Sequence, residues 1–409
     1  MTEAQAGTEP TFFRRTAGQS RLLERCRALA ADFATRAIEH DRAASHPAEN
    51  YQRLREEGFG ALNIPKEWGG EGYGLLDHTL AFETLAQGCP STALAFNMHL
   101  SMVGPLTESE HIPAETKAYL AELAVGQRKL IAGNFSEPTS TALIGERHLS
   151  TRARAAEGGY RITGRKMFAS MLEAADYCAV LAYPDTATSP TAGLFILVPR
   201  EAEGRRVEAN WDTLGMRATR SDSLILEDCW VPARAALYET DDIRPFRNDQ
   251  AHWLWASYTP VYLGVAVAAH NEVLAVLKER RPPGYTQSLA YHPDVRRQVA
   301  QMSVDIEAAR LVTYHSAWLS DTQGPTPETL AALHRAKYIV GEVASRVTRM
   351  ALGLAGAHAI FKGKRLELLF RDGALAPIQA PQADFCLHNI GLHALGLDPE
   401  DLLPPLKRE

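Results

Sequence analysis

Gln379-Ala380-Pro381-Gln382 contains no group that can take a proton near neutral pH, although it closely follows a charged pair, Arg371-Asp372. Ala380, eight residues after Asp372, offers only its backbone amide and carbonyl. That amide could still polarise a carbonyl, because a backbone donor survives any side-chain change. Elsewhere the groups capable of chemistry are sparse. Phe96-Asn97-Met98-His99-Leu100 sets one imidazole in an apolar stretch, either as a group titrating near neutrality or as a packed core histidine. Arg280, in Arg280-Arg281-Pro282-Pro283-Gly284, could grip a phosphate bidentately, or it could be a surface arginine at a helix end. Ser136 beside Phe135, and Ser170 near Phe168, pair hydroxyls with aromatic rings. Such hydroxyls are ligand donors, or they satisfy strand ends while the phenylalanine joins the core.

Composition removes several classes of function. The formal charge of −6 gives no basic field for nucleic acid. Cys26, Cys89, Cys178, Cys229 and Cys386 lack Cys-x-x-Cys spacing. A zinc knuckle and a disulfide framework are therefore not expected, and reduced thiols in a cytoplasm are. His252, His388 and His393 form no metal-ligand signature, so no metal is expected. Met1-Thr2-Glu3-Ala4-Gln5 has neither a basic leader nor an apolar core, and Val261 to Ala269 is too short an apolar run to cross a bilayer. The expectation is a cytoplasmic protein with no membrane or nucleic-acid partner.

The elements that must position these groups fall into three blocks, 1–128, 129–243 and 244–409. In the first, Leu22, Leu23, Cys26, Leu29, Ala30 and Phe33 recur at helical spacing. Tyr51 to Phe59 and Leu75 to Ala86 repeat the pattern. Between them, Pro65-Lys66-Glu67-Trp68-Gly69-Gly70-Glu71-Gly72 lacks phosphate-loop spacing and reads as a turn. The second block alternates through Thr151 to Ala155, turns at Glu157-Gly158-Gly159, and continues in short β-rich runs at 177–182, 193–198 and 223–226, with a Pro- and Thr-rich loop over 184–191. In the third, Val295, Val299, Met302, Ile306, Ala309 and Val312 form one helical stripe. Leu333, Ala336, Val340, Val343, Val347, Met350 and Leu354 form another, begun by a Thr326 cap and Pro327. Two long amphipathic helices with short connections predict an antiparallel bundle.

Four segments in this order resemble the acyl-CoA dehydrogenase superfamily. They are Asn134-Phe135-Ser136-Glu137-Pro138, Gly164-Arg165-Lys166-Met167-Phe168-Ala169-Ser170, Leu214-Gly215-Met216-Arg217-Ala218-Thr219 running to Val231-Pro232, and Arg365 to Asp372. The resemblance covers almost the whole chain. It implies an α+β multidomain fold with an N-terminal α-helical domain, a middle β-barrel-like domain and a C-terminal four-helix bundle. It also implies a flavin held at Phe135, Ser136, Phe168 and Ser170, with Arg280, Gly353, Ala357 and Gln382 on the cofactor side. FAD is the expected form and FMN the alternative. His99, Trp255, Gln379 and Ala380 are the implied substrate contacts. A homotetramer, a dimer of dimers, is implied, with Arg280 and the Gly353 segment serving a neighbour's flavin; an electron-transfer or flavin-reductase partner is the further expectation.

The departures shape the functional expectation. Thr139-Ser140-Thr141-Ala142 replaces the small residues that usually approach the pyrophosphate, Pro283 replaces an aromatic, and Gly353 and Ala357 replace a glutamine and a glycine. The glutamate that usually abstracts the substrate's α-proton is Ala380. The other family location for that base reads Leu254-Trp255, without a carboxylate. The implied protein is a flavin-dependent oxidoreductase, an oxidase or monooxygenase of an acyl thioester or small organic substrate, with His99 as the catalytic candidate. The alternatives are α,β-desaturation with a base moved to Glu137, Asp384 or His99, and a non-catalytic homologue.

Overall fold

The computed structural model describes residues 15–138 and 149–397. Thr139-Ser140-Thr141-Ala142 lies outside them, as does the amino-terminal segment. Six helices come first: α1 (Ala17–Ala34), α2 (Ala37–Ala43), α3 (Ala48–Glu56), α4 (Leu75–Gly88), α5 (Pro90–Glu108) and α6 (Ala114–Ala121). Thr16 opens α1 with a reciprocal capping box to Gln19, and the whole stripe from Leu22 to Phe33 is buried.

Eight strands follow: β1 (Ile131–Asn134), β2 (Arg152–Ala156), β3 (Gly159–Lys166), β4 (Tyr177–Pro184), β5 (Gly193–Pro199), β6 (Arg205–Glu208), β7 (Ser223–Pro232) and β8 (Ala236–Thr240). They run β6-β7-β3-β2-β4-β5-β8. The β2–β3 hairpin closes with Ala156 opposite Gly159, and Gly158 takes the left-handed conformation that the turn requires (φ 71°). β4 carries β1 in parallel at Ile131↔Tyr177 to Asn134↔Val180, then β2 in parallel at Tyr183 and Pro184. The segment just after β1 meets the loop after β3, where the Met167 amide donates to the Ser136 carbonyl.

The C-terminal helices are α7 (Arg244–Glu279), α8 (Pro293–Gln323), α9 (Pro327–Ala355), α10 (Arg365–Ala374) and α11 (Ala383–Leu395). α7, α8, α9 and α10 form the bundle, and α11 packs on α9. Thr326 caps α9 through Thr329, with Pro327 at the first helical position. The α9 stripe is buried from Leu333 to Val347, whereas Val295, Val299 and Val312 on α8 are only half-buried. α7 holds an 18-residue window apolar enough to cross a bilayer by length and composition, but 67% of it is buried inside the fold. It is the central core helix, and Gly264 lets it approach α4 closely: a Cβ there would stand 2.5 Å from the Glu83 carbonyl oxygen.

Charged side chains fix the blocks to each other. Arg310 of α8 donates to Glu83 of α4 at 2.8 and 3.0 Å with both partners buried. Asp321 accepts from the Leu75 and Leu76 amides at the start of α4. Arg365 donates to the Gln87 and Gly88 carbonyls at its end, each at 2.7 Å. Both contacts suit the helix dipole. Arg371 binds Asp41 of α2, Glu367 of its own helix and the Leu214 carbonyl. Its neighbour Asp372 accepts from the Met216 amide at 2.6 Å.

Replacing Arg371 by leucine strands Asp41 and Glu367, whose side chains are each only 9% exposed. Breaking one partner of such an ion pair is expected to cost about 3–5 kcal/mol. Urea unfolding of Arg371→Leu checks this; a midpoint within error of the native one contradicts it.

Candidate functional site

Ser136, Phe168 and Ser170 come together at one edge of the sheet. The Met167 amide donates to the Ser136 carbonyl at 2.8 Å, and the Ala169 amide to that of Asp222 at 3.0 Å. Ser170 Oγ lies 2.6 Å from Ser221 Oγ, which lies 2.8 Å from Thr219 Oγ1, so three hydroxyls form a chain. Phe135 is buried edge-on to Phe195. It belongs to the floor of this edge.

The backbone here is strained. Phe168, Met171, Met216 and Arg220 have φ of 53°, 66°, 51° and 47°, a conformation costly for residues with a Cβ and concentrated at functional sites. Asp222 helps hold it, accepting from the Asn210 and Trp211 amides at 2.8 Å each and pairing with Arg220 at 2.9 Å. Trp211 then stands edge-on to Phe168, with ring centroids 6.1 Å apart. Phe168 is 61% exposed, an unusual position for a phenylalanine in a fixed, strained loop.

Glu137 is not a base. Its carboxylate accepts from the amides and hydroxyls of Ser150 and Thr151 and from Lys166 Nζ at 2.6 Å. Burial acts to raise its pKa, but the Lys166 charge and these donors prevail and hold it at about 2. Burial likewise draws the Lys166 ammonium down to about 8 against the pull of Glu137. The pair braces β3 behind Phe168.

His99 is not brought to this site either. It is fully buried in α5; Nε2 donates to the Gly60 carbonyl at 2.8 Å and Nδ1 accepts from the Ile131 amide at 2.9 Å. Burial lowers its pKa to about 4. With both nitrogens committed to backbone, His99 is a tie between α5 and β1, and the catalytic expectation for it is corrected. Asp384 is exposed in the first turn of α11. Gln382 is exposed at that helix's N-cap and forms no capping bond.

Trp255, Gln379 and Ala380 do share a region. Tyr262, two turns along α7 from Trp255, donates to the Gln379 side chain. Lys337 of α9 donates to the Ala376 and Gln379 carbonyls at 2.8 and 3.1 Å, fixing the chain just before Ala380. Trp255 packs on His334 with centroids 4.3 Å apart. A separate corner joins Arg280 to the Gly353–Ala357 turn through a 2.8 Å bond to the Ala355 carbonyl. His393 pairs with Glu328, and His388 is exposed. His252 is buried on α7, its Nδ1 without a partner among the described residues.

The sheet edge fits a flavin ring on its own chemistry. Phe168 presents an uncovered aromatic face, the serine chain offers hydroxyls, and Asn134, 2% exposed, has neither amide atom paired among the described residues. Trp211, Asp222, Tyr262, Lys337 and His334 were missed in the sequence. Only the one-turn spacing of His334 and Lys337 on a helix could have signalled any of them. An open cleft of about 560 Å³ lined by Tyr119, Tyr177 and Arg234 includes none of these residues.

Comparison with known proteins agrees with this geometry. Residues 16–127 match the acyl-CoA dehydrogenase N-terminal domain, 134–229 the middle domain and 256–380 the C-terminal domain. The relative YdbM of Bacillus subtilis is 29% identical over 381 residues, 92% of this chain and 97% of that protein. Butyryl-CoA dehydrogenase from Megasphaera elsdenii superposes with a TM-score of 0.84 at 22% identity, covering 94% of this chain and 99% of that one. TdsC from Paenibacillus sp. A11-2, solved with FMN and indole, gives 0.83 at 21%, covering 92% and 97%.

Glu137, held at about 2 against an ordinary value of 4.5, contributes stability that is complete above about pH 4.5 and is lost as the pH falls toward 2. Glu137→Gln is expected to remove that acid dependence and to cost about 3–5 kcal/mol at pH 7, since Lys166 is left buried and unpaired. Urea midpoints of both proteins at pH 7 and pH 3 check this. Parallel responses to acid contradict it.

Proposed function

The chain belongs to the acyl-CoA dehydrogenase family and is a flavoprotein of that family, and from this premise we propose that its reaction departs from α,β-desaturation. The proposed activity is that of a flavin-dependent oxidase or monooxygenase acting on a small organic molecule or an acyl thioester. One observation carries the reading: Ala380 and Leu254-Trp255 leave both base positions without a carboxylate. Glu137 and His99 are saturated by fixed partners and Asp384 is exposed at a helix start, which supports the reading over desaturation with a relocated base.

Desaturation needs a base at the α-carbon in the same step that the flavin accepts a hydride. Oxygen chemistry needs instead an enclosed apolar pocket that excludes water. Met98, Leu254, Trp255 and Tyr258 are all at least 90% buried and would supply such walls. Phe168, Ser136 and Ser170 would hold the ring, and the isoalloxazine, when bound, supplies the two-electron chemistry. The residue 380 amide remains a donor for a substrate carbonyl.

FAD is the proposed form, with Arg280 and the Gly353–Ala357 turn as its adenine-side grip; FMN is the form bound by TdsC. A homotetramer is proposed as well. Val304, Leu311 and Trp318 stay exposed at seven-residue spacing along α8, a stripe suited to a helix partner. The proposed location is the cytoplasm, with an electron-transfer or reductase partner.

Two measurements test the reading. Chemically reduced protein mixed with air and indole is expected to give an indole product heavier by one oxygen atom, or hydrogen peroxide if the enzyme is an oxidase; flavin that stays reduced in air contradicts both. Ala380→Glu is expected to gain butyryl-CoA dehydrogenation by at least about tenfold over background, a factor near 1.4 kcal/mol. No gain would show that the rest of the desaturation machinery is gone too.

A further inference from the structure

One wall of the proposed pocket offers more than apolar surface. Trp255, Tyr258 and Tyr262 recur at three- and four-residue spacing along α7 and share a face of that helix. His334 of α9 packs against Trp255, and Phe385 of α11 closes the group, with ring centroids 5.6 Å from the imidazole and 6.1 Å from the indole. Lys337, one turn from His334, lies 5.9 Å from the Tyr262 ring and donates to the Gln379 carbonyl. Lys337 and Tyr262 thus tie this aromatic group to Gln379, the residue before Ala380.

His334 is 2% exposed and its Nδ1 has no hydrogen-bond partner among the described residues. Burial first, and the neighbouring Lys337 charge second, lower its pKa to about 4, so the ring is neutral at physiological pH. A neutral imidazole has one donor and one acceptor nitrogen, and leaving a buried polar atom unpaired is costly. Aromatic rings on two sides cannot repay that cost. His99, equally buried, has both nitrogens paired; His78 and His252 also keep an unpaired nitrogen among the described residues, but His334 is the one packed against Trp255 and Phe385. The packing of α9 alone does not require an imidazole where phenylalanine would fill the same space without an orphaned nitrogen.

We propose that His334 is the polar contact for the substrate, accepting a hydrogen bond from an N–H or O–H of a flat aromatic molecule that packs against Trp255 and Phe385. This selects a planar heteroaromatic or phenolic substrate over a saturated fatty acyl chain, which has no donor to offer. The assignment rests on the proposed function only in taking this wall as part of the substrate pocket.

Equilibrium dialysis of the purified chain, after incubation with FAD and removal of the excess, with indole and with benzofuran tests it. The two have the same shape, but only indole carries an N–H. Native protein is expected to bind indole about tenfold more tightly, the worth of one well-made buried hydrogen bond. His334→Phe should weaken indole about tenfold and leave benzofuran unchanged, and His334→Gln, which keeps an acceptor, should recover part of the preference. Equal native affinities, a preference that survives in His334→Phe, or no binding of either probe up to about 1 mM overturns the assignment. Flavin absorbance in the same samples separates the two readings. A yellow protein without the preference overturns the role of His334 alone, and a colourless protein that keeps it overturns the flavin alone.

Discussion

Arg371 and Asp372 tie α10 to α2 and to the segment between β6 and β7. Arg371 reaches Asp41 on α2 and the Leu214 carbonyl beside the sheet, while Asp372 receives the Met216 amide. Asp372 is 1% exposed, and burial raises its pKa to about 7. Gly215 is required between them, since a Cβ there would stand 2.5 Å from the Arg371 carbonyl oxygen. Burying charge is costly unless every partner is in place, so this junction tolerates few relative placements of the three parts. It holds Met216, Trp211 and the strained loop at Phe168 in one geometry against the helices.

That constraint explains how one half of the site can be kept while the other changes. The flavin edge depends on the Asp222 contacts, the Glu137–Lys166 pair and the serine chain, all within the sheet and its loops. The vacated base position depends on α7, α9 and the segment before Ala380, fixed by Lys337 and Tyr262. The junction is one of the ties between the two halves, alongside contacts such as that of His99 with β1. A change of side chain at 380 therefore need not disturb the sheet edge, and Trp255, His334 and Phe385 pack against one another on the helical side.

Local patterns were readable in the sequence because their causes are local. The helical stripe from Leu22 to Phe33, the Thr326 cap and the Gly158 hairpin turn each depend on residues a few positions apart. The family motifs likewise placed Ser136, Phe168 and Ser170 at one edge. His99 and Glu137 were misread for the opposite reason. Whether a histidine or glutamate is available for chemistry depends on whether distant groups already satisfy it, and Gly60, Ile131, Thr151 and Lys166 do. His334 was overlooked because its meaning lies in a missing partner, which no spacing in the sequence reveals. The apolar length of α7 shows the same limit: composition allows a membrane span, and burial by the neighbouring helices accounts for it instead.

The central claim is that the flavin edge is intact while α-proton abstraction from an acyl thioester is not. Anaerobic titration of the purified yellow protein with butyryl-CoA, followed by visible absorbance, tests it most directly. The account predicts a bound thioester at most, with the flavin remaining oxidised through many equivalents. Rapid bleaching of the flavin by butyryl-CoA in the absence of oxygen would contradict it.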